Sequence, residues 1–152
     1  MDYKELLNKT DAQGVKGPIF FGEKILVYER DNKTDFYPGY IDLPGGGSEE
    51  NETVLEAYKR EVQEEFGLEI QPENILYAKS YPSIYYPGKT SYYLVASLPE
   101  EQFKTIQFGD EGKSYRLMDV SDYLNSEKVM PHFKERLQDF LAQNATVLDT
   151  KL

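Results

Sequence analysis

The chain has 152 residues, and its 27 acidic and 17 basic side chains give it a formal net charge of −10. Hydrophobic residues at 39% and charged residues at 29% are typical of a folded globular chain, and the length predicts one domain over residues 1–144 with a loose tail at 145–152. The absence of cysteine excludes disulfides and thiolate metal sites, and the acidity excludes the basic face that a nucleic acid polymer would need.

The first 50 residues predict short strands separated by turns. Gly17 and Pro18 weaken the first of these strands, and a polar loop over residues 31–39 precedes the third. A flexible glycine loop, Gly45 to Gly47, follows directly. The three predicted strands cover residues 15–21, 24–30 and 40–43.

The strongest predicted helix begins after Thr53 and ends before Gly67. Thr53 can cap the first turn, and Glu56 three residues later completes a capping box. Gly67 is a natural stop, because glycine readily takes the left-handed conformation that ends a helix. The apolar stripe of this helix consists of Val54, Leu55, Tyr58, Val62 and Phe66.

The second half predicts more strands and a final helix. Residues 86–89, with a Pro-Gly pair, predict a hairpin turn, and residues 131–142 carry apolar side chains at helical spacing. Strands on both sides of one central helix predict an α/β fold with a mixed central sheet and flanking helices. The predicted strands of this half cover residues 75–81, 90–96 and 114–118.

The polar face of the central helix carries the chemistry. Residues 49–65 hold seven glutamates against two basic residues, which is half of the excess negative charge of the chain. Helical spacing places Glu61, Glu64 and Glu65 on one patch, which we expect on the side away from the apolar stripe. Such carboxylates repel one another unless a cation neutralises them, and a hard divalent cation with oxygen ligands suits them. Taken alone, such a cluster is more typical of a solvated helix face.

The glycine loop favours a metal site over a solvated helix face, because its spacing to the helix matches a specific pattern. Gly46, five residues, Glu52, seven residues and then the nine-residue segment at 60–68, REVQEEFGL, match the pattern GX5EX7REUXEEXGU, the Nudix box, at every specified position. The chain therefore resembles the Nudix hydrolases, over about residues 14–142. The resemblance implies the Nudix α/β/α sandwich fold.

The resemblance also implies an activity and its residues. Nudix hydrolases cleave nucleoside diphosphates linked to a moiety X, with Mg²⁺ or Mn²⁺ and an attacking water. Glu61, Glu64 and Glu65 would be the catalytic, metal-binding carboxylates, with Glu61 also a candidate general base. Gly45 or Gly46 would contribute a main-chain carbonyl to the metal and contact the substrate. The residues that would brace the loop and the helix are Glu52 and Arg60.

Two further candidates lie outside the box. The segment at 108–113 resembles the MutT-type stretch in which a loop glutamate reaches the metal, and Glu111 is the matching position for catalysis and metal binding. An ordinary acidic loop tip is the alternative. Arg30 matches a position where MutT-type enzymes place an arginine near the phosphates, although a surface salt bridge to Asp31 or Glu29 fits the sequence equally well.

The substrate is less well specified by the sequence. Residues 41–43, and Leu43 in particular, match a base-reading site, but residues 129–131 lack the asparagine of the MutT type. Pro82 resembles the ADP-ribose branch and Tyr85 the dinucleoside-polyphosphate branch, and His132 fits a structural role. The tyrosines that either stack on a base or pack in the core are Tyr81, Tyr85, Tyr86, Tyr92 and Tyr93.

Taken together, the sequence predicts a Mg²⁺-dependent hydrolase of a small nucleotide. The substrate would be a nucleoside triphosphate or another nucleoside diphosphate derivative, with ADP-ribose or a dinucleoside polyphosphate as alternatives. A nucleotide-sensing module without catalysis is disfavoured, because the box keeps its glutamates. No segment approaches the ~20 apolar residues of a membrane span, and the first ten residues lack a signal region. We expect a cytoplasmic monomer or homodimer without membrane contact.

Overall fold

The computed structural model describes residues 3–31, 37–109 and 112–151, with side chains up to residue 143 except those of residues 112 and 113. Within these ranges, eight strands form one mixed sheet. The strands are β1 (Ala12–Lys16), β2 (Ile19–Phe21), β3 (Lys24–Arg30), β4 (Ile41–Asp42), β5 (Gly45–Gly47), β6 (Ile75–Pro82), β7 (Thr90–Leu98) and β8 (Gly112–Asp119). The α-helices are α1 (Tyr3–Leu6), α2 (Val54–Phe66), α3 (Val120–Asn125) and α4 (Pro131–Lys151), and 3₁₀ turns cover Pro72–Asn74 and Glu100–Thr105.

Strand β7 lies at the centre of the sheet. It pairs in parallel with β1 and β2, which follow one another along its edge, and antiparallel with β6 on its other side. The glycine strand β5 pairs antiparallel with β1, while β3 pairs antiparallel with β2, β4 and β8. This arrangement confirms the predicted α/β class with a mixed sheet.

Helices cover both faces of the sheet. Residues of β3 alternate between two buried clusters: Leu26 lies in the cluster under α2, and Val27 lies in the cluster under α3 and α4. The alternation follows from the two-residue period of a strand, which sends neighbouring side chains to opposite faces. The result is an α/β/α sandwich in which α2 and α4 lie on opposite sides of the sheet.

The predicted strand at 15–21 is interrupted at Gly17, so it forms β1 and β2. A Cβ at Gly17 would lie 1.5 Å from the carbonyl oxygen of Leu94, so only glycine allows this close approach to β7. The Gly17 amide donates to the carbonyl of Pro44 at 3.0 Å, and its carbonyl accepts from the Tyr58 hydroxyl at 2.9 Å. The break therefore ties the strand edge to α2 and to the glycine strand.

Helix α2 has the boundaries that the sequence predicts. The Thr53 hydroxyl accepts from the Glu56 amide at 3.1 Å, and the Glu56 carboxylate accepts from the Thr53 amide at 2.9 Å, which confirms the capping box. Gly67 ends the helix in the left-handed conformation, with φ at 67°. Most of the predicted apolar stripe is buried, and Leu55 packs against its edge.

Three predictions about secondary structure were wrong or incomplete. The glycine run at 45–47 is strand β5 rather than a flexible loop, because its backbone pairs with β1. Helix α4 continues through residues 145–151, where we expected a loose tail; the segment contains neither glycine nor proline to end it. The short helices α1 and α3 were not predicted. No helix in the described ranges is long and apolar enough to cross a membrane.

The close contact at Gly17 predicts a large effect of one added methyl group. Gly17→Ala must displace the Leu94 carbonyl, so we expect the free energy of unfolding to fall by about 1–3 kcal/mol or more. Gly47→Ala is the matched control, because a Cβ there meets only the Gln13 carbonyl at 3.9 Å. Urea unfolding of the two variants measures the difference, and equal stabilities would contradict the assigned contact.

Candidate active site

The box carboxylates lie where helix α2 packs against strand β5. Glu65 is 3% exposed, and its Oε1 accepts the Gly45 amide at 2.9 Å. The Glu61 side chain is 13% exposed, and that of Glu64 is 55% exposed. The expectation that all three face away from the apolar stripe was therefore wrong for Glu65, because its carboxylate turns inward to satisfy a buried backbone amide.

Glu61 lies directly against the glycine strand. A Cβ placed on Gly46 would come within 2.6 Å of the Glu61 Oε2 atom, so the carboxylate occupies the space that any other side chain would need. Gly45 has φ at 121°, and a Cβ there would lie 2.1 Å from the Val15 carbonyl. Both positions require glycine, one for the carboxylate and one for the strand pairing.

Arg60 ties the helix to the glycine strand. Its Nε donates to Glu52 at 2.7 Å, and its Nη2 donates to the Gly47 carbonyl at 2.9 Å. Its Nη1 also contacts Glu61 at 3.0 Å and Glu64 at 3.4 Å. The bond from Arg60 lowers the pKa of Glu52, so this carboxylate stays ionised. This is the geometry of a brace, which is the role the resemblance implies for Glu52 and Arg60.

The donor set fits a hard divalent cation. The candidate ligands are carboxylate oxygens and main-chain carbonyls, which Mg²⁺ and Mn²⁺ prefer. In the described part of the chain, no three aspartate, glutamate or histidine side chains stand together as a formed cation site. Arg60 Nη1 lies between Glu61 and Glu64 at hydrogen-bond distance from both. A cation held by these carboxylates would compete with Arg60 for them.

A cavity of about 170 Å³ opens beside the glycine strand. Gly46 and Gly47 form part of its wall, so it shares a boundary with the carboxylates of α2. Its polar wall comes from strands β1, β3 and β4 and from helix α4, and its mouth is lined by the β6–β7 hairpin. The charged and imidazole side chains that line it are Lys16, Arg30, Asp42, His132 and Arg136.

A buried carboxylate, Asp42, organises one wall of this cavity. Lys16 Nζ lies 2.7 Å from its Oδ2, Arg30 Nη1 binds the same oxygen, and the Tyr28 hydroxyl lies 3.2 Å away. The amide of Leu43 donates to the other oxygen at 2.7 Å. Burial alone would raise the pKa of Asp42, but Lys16 and then Arg30 hold that pKa below its ordinary value of 3.8.

The sequence analysis missed the Asp42 cluster. Its members lie 12 to 26 residues apart on three strands, and no local motif joins them. Arg30 does line the cavity, as expected, and it pairs with Asp42. Leu43 does not line the cavity, because its side chain is fully buried in the cluster under α4. Glu111 lies outside the described residues.

The tyrosines divide between the two predicted roles. Tyr93 is fully buried in the core, and the Tyr92 hydroxyl donates to Asp11 at 2.6 Å. Tyr85 and Tyr86 belong to the hairpin that lines the cavity mouth, and Tyr86 is half exposed. Tyr81 donates to Asp139 at 2.7 Å. Stacking on a substrate ring is therefore open to the hairpin tyrosines, whereas Tyr93 is a core residue.

Comparison with known proteins supports this description. The family model of the NUDIX domain matches residues 13–140. The chain therefore belongs to the Nudix family, the hydrolases that act on phosphoric anhydride bonds. No curated protein matches the sequence with significance.

Solved structures share the fold at low identity. A MutT protein from Methanosarcina mazei Go1 superposes with a TM-score of 0.67 and 21% identity, covering 86% of this chain and 93% of that one. A bifunctional NMN adenylyltransferase/ADP ribose pyrophosphatase from Francisella tularensis, complexed with AMP and a Mn ion, superposes with a TM-score of 0.67 and 21% identity. This match covers 86% of this chain and 41% of that one. The dihydroneopterin triphosphate pyrophosphohydrolase of E. coli superposes with a TM-score of 0.63 and 20% identity, covering 86% of this chain and 94% of that one.

The Asp42 cluster predicts a strong effect on stability. Asp42→Asn removes the buried carboxylate that pairs with Lys16 and Arg30, so we expect a loss of about 3–5 kcal/mol in the free energy of unfolding at pH 7. Asp119→Asn is the control, since Asp119 is exposed and makes no side-chain cap bond. Because the pKa of Asp42 is lowered, its contribution is present above pH 3.8 and disappears as the pH falls through the folded-state pKa. A difference from the parent of under 1 kcal/mol would contradict the ion pairing.

Proposed function

We propose that this protein is a divalent-metal-dependent pyrophosphohydrolase of a nucleoside triphosphate or another nucleoside diphosphate derivative. The observation that carries the proposal is the position of Gly46. The Glu61 carboxylate lies against Gly46, and Gly46 also lines the cationic cavity. A diphosphate at this point would meet carboxylate-bound metal on one side and Lys16 and Arg30 on the other.

The roles of the residues follow from their positions. Glu61, Glu64 and Glu65 would hold the cation, with a carbonyl of Gly45 or Gly46. When bound, Mg²⁺ or Mn²⁺ neutralises phosphate charge and lowers the pKa of water. Water adds to a phosphorus of the diphosphate, and the P–O bond of the anhydride breaks to release two phosphate products.

The remaining side chains position the substrate. Arg60 fixes the glycine strand against α2 through its bond to the Gly47 carbonyl. Arg30 and Lys16 present N–H donors at the cavity wall while Asp42 holds them in place. An arginine fork suits the paired oxygens of a phosphate. Glu111 stays a prediction for a further metal-binding carboxylate.

A substrate screen tests the proposal. The solved neighbours include proteins described as acting on ADP-ribose, dihydroneopterin triphosphate and Ap4A, so the fold accommodates varied X groups. Nucleoside triphosphates, ADP-ribose and dinucleoside polyphosphates should be incubated with Mg²⁺, and orthophosphate, pyrophosphate and mononucleotide scored separately. Hydrolysis of none of them by folded protein would contradict the proposed function.

Removal of single carboxylate charges should reduce turnover. Glu64→Gln and Glu65→Gln each should lower kcat about 10²-fold or more, the magnitude expected for losing a metal clamp. The glutamine at 65 can still accept the Gly45 amide, so this variant separates charge from backbone support. Glu73→Gln, on an exposed glutamate of a 3₁₀ turn, is the matched control. Near-parental kcat in both active-site variants, with unchanged melting temperatures, would refute their assignment.

Metal removal should abolish activity without unfolding the protein. Excess chelator should reduce hydrolysis to background, and added Mg²⁺ or Mn²⁺ should restore it. Since carboxylate ligands bind metal only when ionised, activity at limiting metal should rise with pH across the range in which carboxyl groups titrate. Circular dichroism in chelator serves as the folding control. Full turnover in chelator would end the metal assignment.

A further inference from the structure

Arg136 of helix α4 is a buried cation that lines the cavity. The residue is 6% exposed, and its guanidinium lies 4.5 Å from the centre of the Tyr81 ring and 5.7 Å from that of Phe133. In the part of the chain that the structure describes, its one hydrogen bond runs from Nη2 to the Pro82 carbonyl, at 3.5 Å. A guanidinium has five N–H donors, so most of them lack a protein acceptor there.

Two carboxylates in this region bind other groups, and a third, Glu135, is exposed and forms no salt bridge with Arg136, although its charge acts on Arg136. Asp139, one turn along α4, accepts from the Tyr81 hydroxyl at 2.7 Å and lies 3.6 Å from Lys79 Nζ. Asp42, the acidic residue of the cavity wall, is held by Lys16 and Arg30. Arg136 therefore has no salt bridge within the described residues. A buried charge in this state is costly unless a ligand pairs with it.

The cavity as a whole is cationic, although the chain is acidic. Its described wall carries the charges of Lys16, Arg30 and Arg136 against that of Asp42, a net of +2 in a chain of net −10. Burial, and after it the charge of Arg136, lower the pKa of His132 to about 4, so this imidazole is neutral at pH 7. The cavity therefore favours an anion over a neutral group.

A scissile diphosphate bound beside the α2 carboxylates would not be the anion that pairs with Arg136. The carboxylates stand on α2, whose residues pack in the cluster on one face of the sheet, whereas Arg136 stands on α4 among the residues of the other face. Arg136 and the glycine strand line the same cavity, and the α2 carboxylates are not among its described lining residues. A substrate whose diphosphate lies at Gly46 would extend its X moiety toward Arg136.

We propose that Arg136 is a specificity-determining residue that binds a second ionised oxyanion, a phosphate or a carboxylate, on the X moiety of the substrate. This inference rests on the proposed function. The preferred substrates are accordingly diphosphate derivatives that carry an additional anionic group away from the scissile anhydride. A cation–π contact with the Tyr81 ring, at 4.5 Å, holds the guanidinium, and the remaining N–H donors bind the oxyanion in a charge-assisted manner.

Matched substrate pairs test the inference. UDP-glucose and UDP-glucuronate differ by one carboxylate on X, and ADP-ribose and ADP-ribose 1″-phosphate differ by one phosphate on the distal ribose, which is X. We expect kcat/KM of the parent protein to be at least about 10-fold higher for the anionic member of one pair, through KM. The pair that shows the preference identifies carboxylate or phosphate as the oxyanion. Equal kcat/KM within both pairs would overturn the inference while leaving the proposed function intact.

Variants then assign the preference to Arg136. Arg136→Gln should lower kcat/KM for the anionic member about 10- to 100-fold and for the neutral member less than about 3-fold. Arg116→Gln, on an exposed arginine outside the cavity, is the matched control. Equal losses for both members would indicate a structural role or contacts to neutral groups, and would overturn the inference. If Arg136→Gln does not fold, Arg136→Lys decides, since it keeps the charge and should retain part of the preference.

A binding measurement separates the two proposals. Ribose 5-phosphate and ribose should be titrated into the parent and the Arg136 variant in chelator, with NMR shifts as the readout. We expect saturable binding of the phosphate alone, lost in Arg136→Gln and kept in Arg116→Gln. If no diphosphate substrate is hydrolysed but this binding is observed, the proposed function fails and the anion site stands. Absence of binding together with absence of discrimination overturns the inference.

Discussion

The contact between helix α2 and the glycine strand β5 is the constraint on which the site depends. Gly45 must lack a side chain for its backbone to pair with β1, and Gly46 must lack one because the Glu61 carboxylate occupies that space. Glu65 completes the contact by accepting the Gly45 amide from a buried position. The carboxylates of the helix thus lie next to the backbone atoms of the strand. Oxygen atoms that could bind a cation come from both elements, and no long loop is needed to bring them together.

Charge is separated across this contact. The α2 side is acidic and carries Arg60 as an internal cation, whereas the cavity side is cationic around the buried Asp42. In the proposed function a polyphosphate would use both environments, because a cation held by the carboxylates would neutralise its charge while N–H donors would fix its oxygens. The net charge of −10 says nothing of this local pattern, which arises only from the way in which strands β1, β3 and β4 bring Lys16, Arg30 and Asp42 together.

The predictions that succeeded depend on local sequence. The capping box at Thr53 and the stop at Gly67 act within one turn of the helix, and the Nudix box is a single continuous segment. The predictions that failed depend on distant partners. Glu65 turns inward because a glycine 20 residues away offers an unsatisfied amide, and the glycine run becomes a strand because β1 pairs with it. The spacing of residues along one helix cannot predict the inward turn of Glu65 or the pairing of the glycine run with β1.

The same division explains why the box specifies the chemistry but not the substrate. In the proposed function α2 and β5 would hold the metal and the diphosphate, and because these two elements are adjacent in sequence a short motif describes them. The far wall of the cavity comes from α4 and from the β6–β7 hairpin. Along the chain, Arg136 is more than 60 residues from the glycine strand, and Tyr85 is about 40 residues from it. Pairing, burial and charge at those positions are set by tertiary packing, which a local motif does not encode. We infer that selectivity rests with residues such as Arg136, whose role follows from its burial and its place in the cavity wall rather than from any local motif.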